Sequence, residues 1–189
     1  ALLADEDAAR FVGPYRVPNA VLETSRPTTQ GPFAMPDYYF ELRRQQAAAL
    51  EAALDVFDEV ASDFERVSGR SHGALERYRM YDATHAVVAL GSTAGTVKDV
   101  VDELRDEGEP VGLVKLVAFR PFPAAAIAAA LGRCEHVAVL DRADSPGGTP
   151  PLHAELAAAL YGRGVELAGY VYGLGGRDLH PPDVRAVFA

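Results

Sequence analysis

Two glycines and three hydroxyls stand together in Gly91-Ser92-Thr93-Ala94-Gly95-Thr96, between an apolar stretch and an amphipathic one. Small residues that let a ligand approach, hydroxyls that donate, and backbone N–H groups at a helix start are what holds a phosphate or a carboxylate. Three more segments carry groups of similar use: Arg120 in Phe119-Arg120-Pro121-Phe122-Pro123, Asp141-Arg142 with Asp144 just beyond, and Gly173-Leu174-Gly175-Gly176-Arg177-Asp178. Ser92, Thr93, Thr96, the N–H groups around Gly95, Gly175 and Gly176, and three arginines would suit an anion. A second reading uses the same residues differently. Arg120, Asp141, Arg142, Arg177 and Asp178 pair among themselves and pin loops or a neighbouring domain.

Sharper chemistry is not met. A Walker loop needs Gly-Lys-Ser/Thr at its end, but Val97 follows Thr96 and the lysine arrives only at Lys98. A dinucleotide fingerprint needs G-x-G-x-x-G and an acid ending the next strand, whereas the next apolar run ends at Phe119-Arg120. Gly91-x-Thr93-x-Gly95 mimics a nucleophile elbow, yet a β-branched residue fits that strained turn poorly and no base or orienting acid can be assigned. The histidines are His72, His85, His136, His153 and His180, none three or four residues from another, so no helical zinc pair exists. His85 and His136 fall at strand starts and read as structural. Cys134 lies near His136 but lacks any orienting third group, so it reads as a buried or half-buried cysteine without a chemical role.

The elements that must position these residues are legible from periodicity. Short apolar runs at 85–90, 111–117, 137–140 and 168–172 read as strands buried on both faces, and 75–81 as an alternating strand. Between them lie amphipathic segments near 95–107, 123–131, 150–161 and 181–188. Val97, Val100, Val101 and Leu104 share a face of the first, Pro123 opens the second and Gly132 ends it. Alternating strand and helix give a mostly parallel sheet with helices on both sides: a five-stranded, three-layer α/β/α domain over 75–189. The link from 75–81 to its successor is too short for a crossover, so that pair should be antiparallel. Loops after parallel strands gather on one edge, which puts the four candidate segments together.

Upstream, residues 1–36 carry Pro14, Pro18, Pro27, Pro32 and Pro36 and read as an extended arm. Residues 37–74 hold a long bracing helix, capped by Asp37, with an apolar stripe of Leu50, Leu54, Phe57, Ala61 and Phe64, ended by the loop Ser68–Gly73. The outer face near 99–107 is acidic (Asp99, Asp102, Glu103, Asp106, Glu107) and reads as a solvated surface. Across 189 residues there are 27 acids against 18 bases, net charge −9, which argues against nucleic acid as a partner. A single cysteine rules out a disulfide framework and suits a cytoplasmic location. The chain starts at Ala1 rather than Met and shows no signal-peptide core, so it reads as a piece of a longer protein.

Read in order, "DYYFELRRQQ" (37–46), "ALGSTAGTVKDVVDELRDEGEPVGLVKL" (89–116), "FRPFP" (119–123), "VAVLDR" (137–142) and "YGLGGRDL" (172–179) resemble the α subunit of the 2-oxoacid:ferredoxin oxidoreductases, most closely the pyruvate enzymes. The likeness extends over about residues 15–189. It implies a transketolase-C-terminal-like domain that follows a thiamine-pyrimidine-binding domain, with residues 1–36 as the tail of that domain or the linker from it. It implies an enzyme that decarboxylates a 2-oxoacid on thiamine diphosphate with Mg, passes electrons through iron–sulfur clusters to ferredoxin, and forms acyl-coenzyme A. Partners implied are the thiamine-binding domains, the gamma and iron–sulfur subunits, and a second copy in a homodimer. The activating glutamate and the substrate contacts would lie in the preceding domain, leaving no catalytic residue and no bound cofactor in this chain. One departure stands out: Asp141-Arg142 is followed by Ala143-Asp144-Ser145-Pro146-Gly147-Gly148, where the family has a serine and a Phe-Gly. The chain is thus expected to be a non-catalytic docking domain; the alternative is an autonomous module for a phosphate or coenzyme A.

Overall fold

A computed structural model describes residues 2–31 and 33–189. Ala1 and Pro32, both counted in the arm, lie outside the described residues. The chain divides into two units, Ala1–Ser71 and His72–Ala189.

The first unit holds two helices. Helix α1 (Asp5–Val12) was not expected from sequence. All the prolines of the arm lie beyond it, and Asp5, Glu6 and Asp7 in its first turn complement the helix dipole. Helix α2 spans Pro36–Ser68. Pro36, assigned to the arm, is its first residue: proline loses nothing there, because the first N–H groups of a helix have no internal partner. Met35 occupies the cap position with no side-chain hydrogen bond, so Asp37 acts within the first turn instead of capping. Gly69 ends the helix in a left-handed conformation (φ 67°), its N–H donating to Glu65 O. Phe11 of α1 packs edge-on against Phe64 at 5.5 Å.

The second unit is the expected α/β/α sandwich. Its strands are β1 (Leu75–Tyr78), β2 (His85–Leu90), β3 (Val111–Leu116), β4 (His136–Asp141) and β5 (Glu166–Val171). Its helices are α3 (Thr93–Asp106), α4 (Ala124–Leu131), α5 (Pro151–Ala159) and α6 (Pro181–Phe188). The strand order is β1-β3-β2-β4-β5. β2, β3, β4 and β5 run parallel, and β1 is the antiparallel edge. β2 sits in the middle because it is apolar on both faces; Val87 and Val88 point opposite ways and both are fully buried.

One pairing differs from expectation. β1 runs antiparallel to β3, with Leu75 opposite Leu116 and Tyr78 opposite Leu113, and is not beside its successor β2. Its short link crosses the start of β3 over Gly112, where a Cβ would lie 2.5 Å from Met80 Sδ and 3.0 Å from the Arg79 carbonyl oxygen. The bare glycine admits that crossing. Arg79 adopts φ 55° to make the turn, and Arg105 ties it down by donating to Val111 O at 2.6 Å and to Arg79 O at 2.5 Å.

Helices cover both sheet faces. Ile127 and Leu131 of α4 and Leu152 and Leu156 of α5 pack over Val88, Val114, Val137 and Val139. Val97, Val100, Val101 and Leu104 of α3, with Val184 of α6, pack over Val87, Leu113 and Leu140. Each such side chain contributes about 1.5–3 kcal/mol by leaving water. Pro123 stands just before α4 and Gly132 just after it.

Candidate functional site

β2 leads to β3 on one side while β4 lies on its other side, so the loops leaving β2 and β4 depart to opposite faces. A crevice at that point of the strand C-terminal edge is where ligands enter such sheets. The four candidate segments do gather there, after β2, β3, β4 and β5, and the geometry of each decides what it can do.

After β2 the left-handed residue is Gly91 (φ 64°), followed by Ser92 in a helical conformation and Thr93 as the first residue of α3. There is accordingly no nucleophile elbow at Thr93. Its hydroxyl instead meets the Tyr172 hydroxyl at 2.6 Å, bridging the crevice from the start of α3 to the residue after β5. Ser92 and Gly95 are exposed and Thr96 half-buried; the Gly95 N–H is already used on Ser92 O at 2.9 Å. The sequence reading missed Tyr172 as a site residue. Its signal was position, as the last residue of the apolar run 168–172 and next to Gly173.

Asp141, at the end of β4, is the one buried charged residue among the described residues. Its two carboxylate oxygens accept the backbone N–H groups of Leu152 at 3.1 Å and His153 at 2.9 Å. Pro151, first residue of α5, has no N–H to offer, so Asp141 takes the first two available donors. The N-terminus of α5, one of the helix starts at this edge, is filled by the chain's own carboxylate.

Arg120 is exposed. Its guanidinium lies 4.4 Å from the Phe119 ring centre, donates to Phe119 O at 2.9 Å, and pairs with Glu155 of α5. Phe119 and Phe122 stack edge to face at 6.2 Å and pack against the core, anchoring the loop. The stem of Arg142 lies over Gly173 (φ 67°), where a Cβ would come within 3.3 Å of its Cγ. Gly175 (φ 65°) and Gly176 (φ 82°) both need the left-handed region, and Arg177 and Asp178 point into solvent. The expected mutual pairing fails. Among the described residues none of Arg120, Asp141, Arg142, Arg177 and Asp178 pairs with another, because Glu155 and the α5 N–H groups are nearer partners.

The acidic face of α3 is more engaged than a merely solvated surface. Asp102 accepts from the Tyr78 hydroxyl at 2.6 Å and from Arg79 at 3.0 Å, and Glu107 pairs with Arg185 of α6. The Tyr78 hydrogen bond, then Arg79, holds the Asp102 carboxyl below the usual carboxylate range, and the same bond pushes the Tyr78 phenol up. Glu76 is likewise lowered, first by Lys98 and then by Lys115.

At the opposite edge His85, His136 and Glu166 stand side by side on β2, β4 and β5. The imidazole centres are 4.9 Å apart, His85 Nδ1 meets Thr84 Oγ1 at 2.9 Å, and His136 Nδ1 is 3.3 Å from Glu166. A shallow cavity of about 310 Å³ opens beside this row, walled by Ala138, Ala168, Tyr170 and Phe188. Cys134 is buried, donates to Ala83 O at 3.5 Å, and burial pushes its thiol up, away from the reactive thiolate.

Comparison with known proteins decides the family. Residues 83–184 match the profile of "Pyruvate:ferredoxin oxidoreductase core domain II". The chain belongs to that family. Among curated relatives, the pyruvate synthase subunit PorA of Thermotoga maritima is 47% identical over 97% of this chain and 47% of its own length. The PorA subunit of Methanothermobacter thermautotrophicus is 38% identical over the same shares. The chain thus spans about half the length of the curated relatives it matches. A 2-oxoglutarate:ferredoxin oxidoreductase from Magnetococcus marinus, solved with 2-oxoglutarate, coenzyme A and succinyl-CoA bound, superposes with a TM-score of 0.57 at 16% identity over 98% of this chain and 29% of that one. That likeness carries the fold.

An iron–sulfur cluster finds too few ligands in this core domain II chain. A cluster needs about four thiolates, and the chain has one, which is buried. No three His, Cys, Asp or Glu side chains among the described residues are grouped to hold a metal ion. No described helix is long and apolar enough to cross a membrane.

Proposed function

We propose that this polypeptide is the core domain II portion of the α subunit of a pyruvate:ferredoxin oxidoreductase, and that it works as a structural and docking domain. The parent complex converts pyruvate and coenzyme A to acetyl-coenzyme A and CO₂. Thiamine diphosphate with Mg and iron–sulfur clusters, all held by other domains and subunits, carry the chemistry and deliver electrons to ferredoxin. Residues 1–36 and the helix beyond connect to a thiamine-pyrimidine-binding domain, and 75–189 is the transketolase-C-terminal-like domain. The complex operates in the cytoplasm.

Asp141 carries the non-catalytic reading. A loop edge built to take a substrate phosphate would leave the N-terminus of α5 open, whereas here the chain closes it with its own buried carboxylate. What remains exposed at that edge is Ser92, Arg120 held against Glu155, Arg142, and the Arg177-Asp178 turn. Those suit the rim of a protein contact, with Phe119 and Phe122 fixing the loop from behind. The coenzyme A or phosphate module loses the α5 terminus by the same observation.

Reconstitution tests the proposal. The chain mixed with the remaining domains and subunits should co-elute with them and restore pyruvate-dependent reduction of ferredoxin, while the chain alone turns over no pyruvate. Arg120→Ala should weaken co-elution. Absence of co-elution together with calorimetric binding of coenzyme A to the isolated chain would overturn the reading in favour of the module.

A further inference from the structure

Three polar side chains stand in one row at the amino edge of the sheet, the end away from the candidate loops. β2, β4 and β5 pair in parallel with His85 opposite His136 and His136 opposite Glu166. Register partners on neighbouring strands share a face and sit about 4.8 Å apart, so the backbone ladder itself fixes the row. The imidazoles of His85 and His136 lie nearly parallel, with 24° between their planes and 4.9 Å between their centres. One nitrogen of each is already engaged: His85 Nδ1 meets the Thr84 hydroxyl at 2.9 Å, and His136 Nδ1 lies 3.3 Å from the Glu166 carboxylate. Nε2 is the nitrogen left on each ring, and both rings line the shallow cavity of about 310 Å³.

We propose that His85 and His136 form an open two-histidine site for a divalent transition-metal ion of the zinc class, with Glu166 as the positioning residue for His136. Neutral imidazole is a ligand such ions favour. A carboxylate facing Nδ1 holds the proton on that nitrogen, presents Nε2 as a lone pair and raises its basicity. The Thr84 hydroxyl can accept from His85 Nδ1 and select the same tautomer there. Zinc binds imidazole nitrogen at about 2.0–2.1 Å, which sets two tetrahedral ligand nitrogens about 3.4 Å apart. Two rings whose centres are 4.9 Å apart on a rigid ladder need only lean together at their tips. Water in the cavity completes the coordination, and with two protein nitrogens the ion stays exchangeable.

Charge favours a cation over an anion at this edge. Glu166 ends the row on one side. On the other, the hollow between His85 and Phe188 is lined by Glu107, Glu109 and Arg185, and the arginine is committed to Glu107. The chain as a whole carries −9. The two histidines are remote in sequence and meet only through strand pairing, so no helical or short-range ligand spacing announces them. The inference stands apart from the docking edge and from the chemistry of the parent complex.

Calorimetric titration of the chain with zinc chloride, in phosphate-free buffer near neutral pH, should show an ion bound that His85→Ala and His136→Ala each abolish. Magnesium chloride should give no binding, because imidazole suits zinc and not magnesium. His72→Ala and His153→Ala should leave the zinc isotherm unchanged. Glu166→Gln should weaken zinc about tenfold while its urea midpoint without zinc stays at the wild-type value, which separates orienting a ligand from holding the fold. Zinc binds the row only when β2 and β4 are paired, so it should raise the urea midpoint of wild type and not that of His136→Ala. Nitrogen NMR of the wild-type imidazoles should show Nε2 of His85 and His136 shifting with zinc while Nδ1 keeps its proton, a readout that stands even where a variant fails to fold. Zinc binding that survives either histidine change, ring shifts at other histidines in place of these two, or Glu166→Gln binding as tightly as wild type would each overturn the proposal.

Discussion

Replacing Asp141 with alanine tests the central structural argument. The carboxylate accepts Leu152 N–H at 3.1 Å and His153 N–H at 2.9 Å from a buried position, so its removal leaves two amide donors at the end of α5 without acceptors. A hydrogen bond to a charged group is worth about 1.5–3 kcal/mol and an orphaned buried donor costs about 1–3 kcal/mol. The N–H of Leu152 is buried and that of His153 partly so, which puts the loss for Asp141→Ala near 3 kcal/mol. Asp141→Asn keeps one acceptor and loses the charge facing the helix dipole, a loss of about 1 kcal/mol. In a unit of this size the alanine variant should melt about 10 °C lower. Urea titration followed by circular dichroism measures both changes. The alanine variant should also gain an anion site: millimolar phosphate should raise its midpoint relative to chloride at equal ionic strength, and leave wild type unmoved. Equal midpoints for wild type and Asp141→Ala, or phosphate stabilising both alike, would refute the claim that this carboxylate occupies the helix terminus.

Three other outcomes follow from the geometry. Gly112→Ala should destabilise by about 2 kcal/mol in urea titration, and Met80→Ala should not rescue it, because the Arg79 carbonyl stays 3.0 Å from the new Cβ. Glu76 is more acidic in the fold than in the unfolded chain, so its contribution is present above pH of about 4.3 and lost as pH falls through the folded value. Glu76→Gln should therefore differ from wild type in urea midpoint at pH 7 and match it at pH 2. Cys134, buried with its thiol pushed up, should be inert to a disulfide-exchange reagent in the native state and react at the rate of unfolding in urea.

The order of strands and helices in the second unit could be read because each core element carries its own periodicity: β2 is apolar on both faces, and Val97, Val100, Val101 and Leu104 repeat as one helix face. The partner of β1 could not be read. Loop length shows only that two strands cannot run parallel, and the choice between β2 and β3 hangs on Gly112, whose meaning appears once Met80 and Arg79 cross it. Helix α1 was hidden by prolines that belong to the stretch after it. The candidate edge was legible as a location and illegible as chemistry. Asp141 and Arg142 are adjacent in sequence, yet the first turns inward to the terminus of α5 while the second lies on Gly173. Asp141 ends β4 and Arg142 begins the loop after it, and each meets another part of the chain in place of a charge at this edge.

The two units therefore stand in opposite energetic positions. In the second, the charged groups most suited to catching something have been consumed internally: Asp141 by α5, Arg120 by Glu155, Arg105 by two carbonyls and Asp82. What that edge still offers a partner is Ser92, Arg142 and the Arg177-Asp178 turn, all exposed, with Arg120 shared between Glu155 and solvent. In the first unit α2 buries Ala61 alone among its residues while displaying Leu42, Val56, Val60 and Val67 to water. Each of those gains about 25 cal/mol per Å² when covered, whereas rearranging the loop edge would first cost the hydrogen bonds it already has. Apolar surface still open to water is thus concentrated on that helix, and the hydrogen-bonding groups of the sandwich's loop edge are largely engaged.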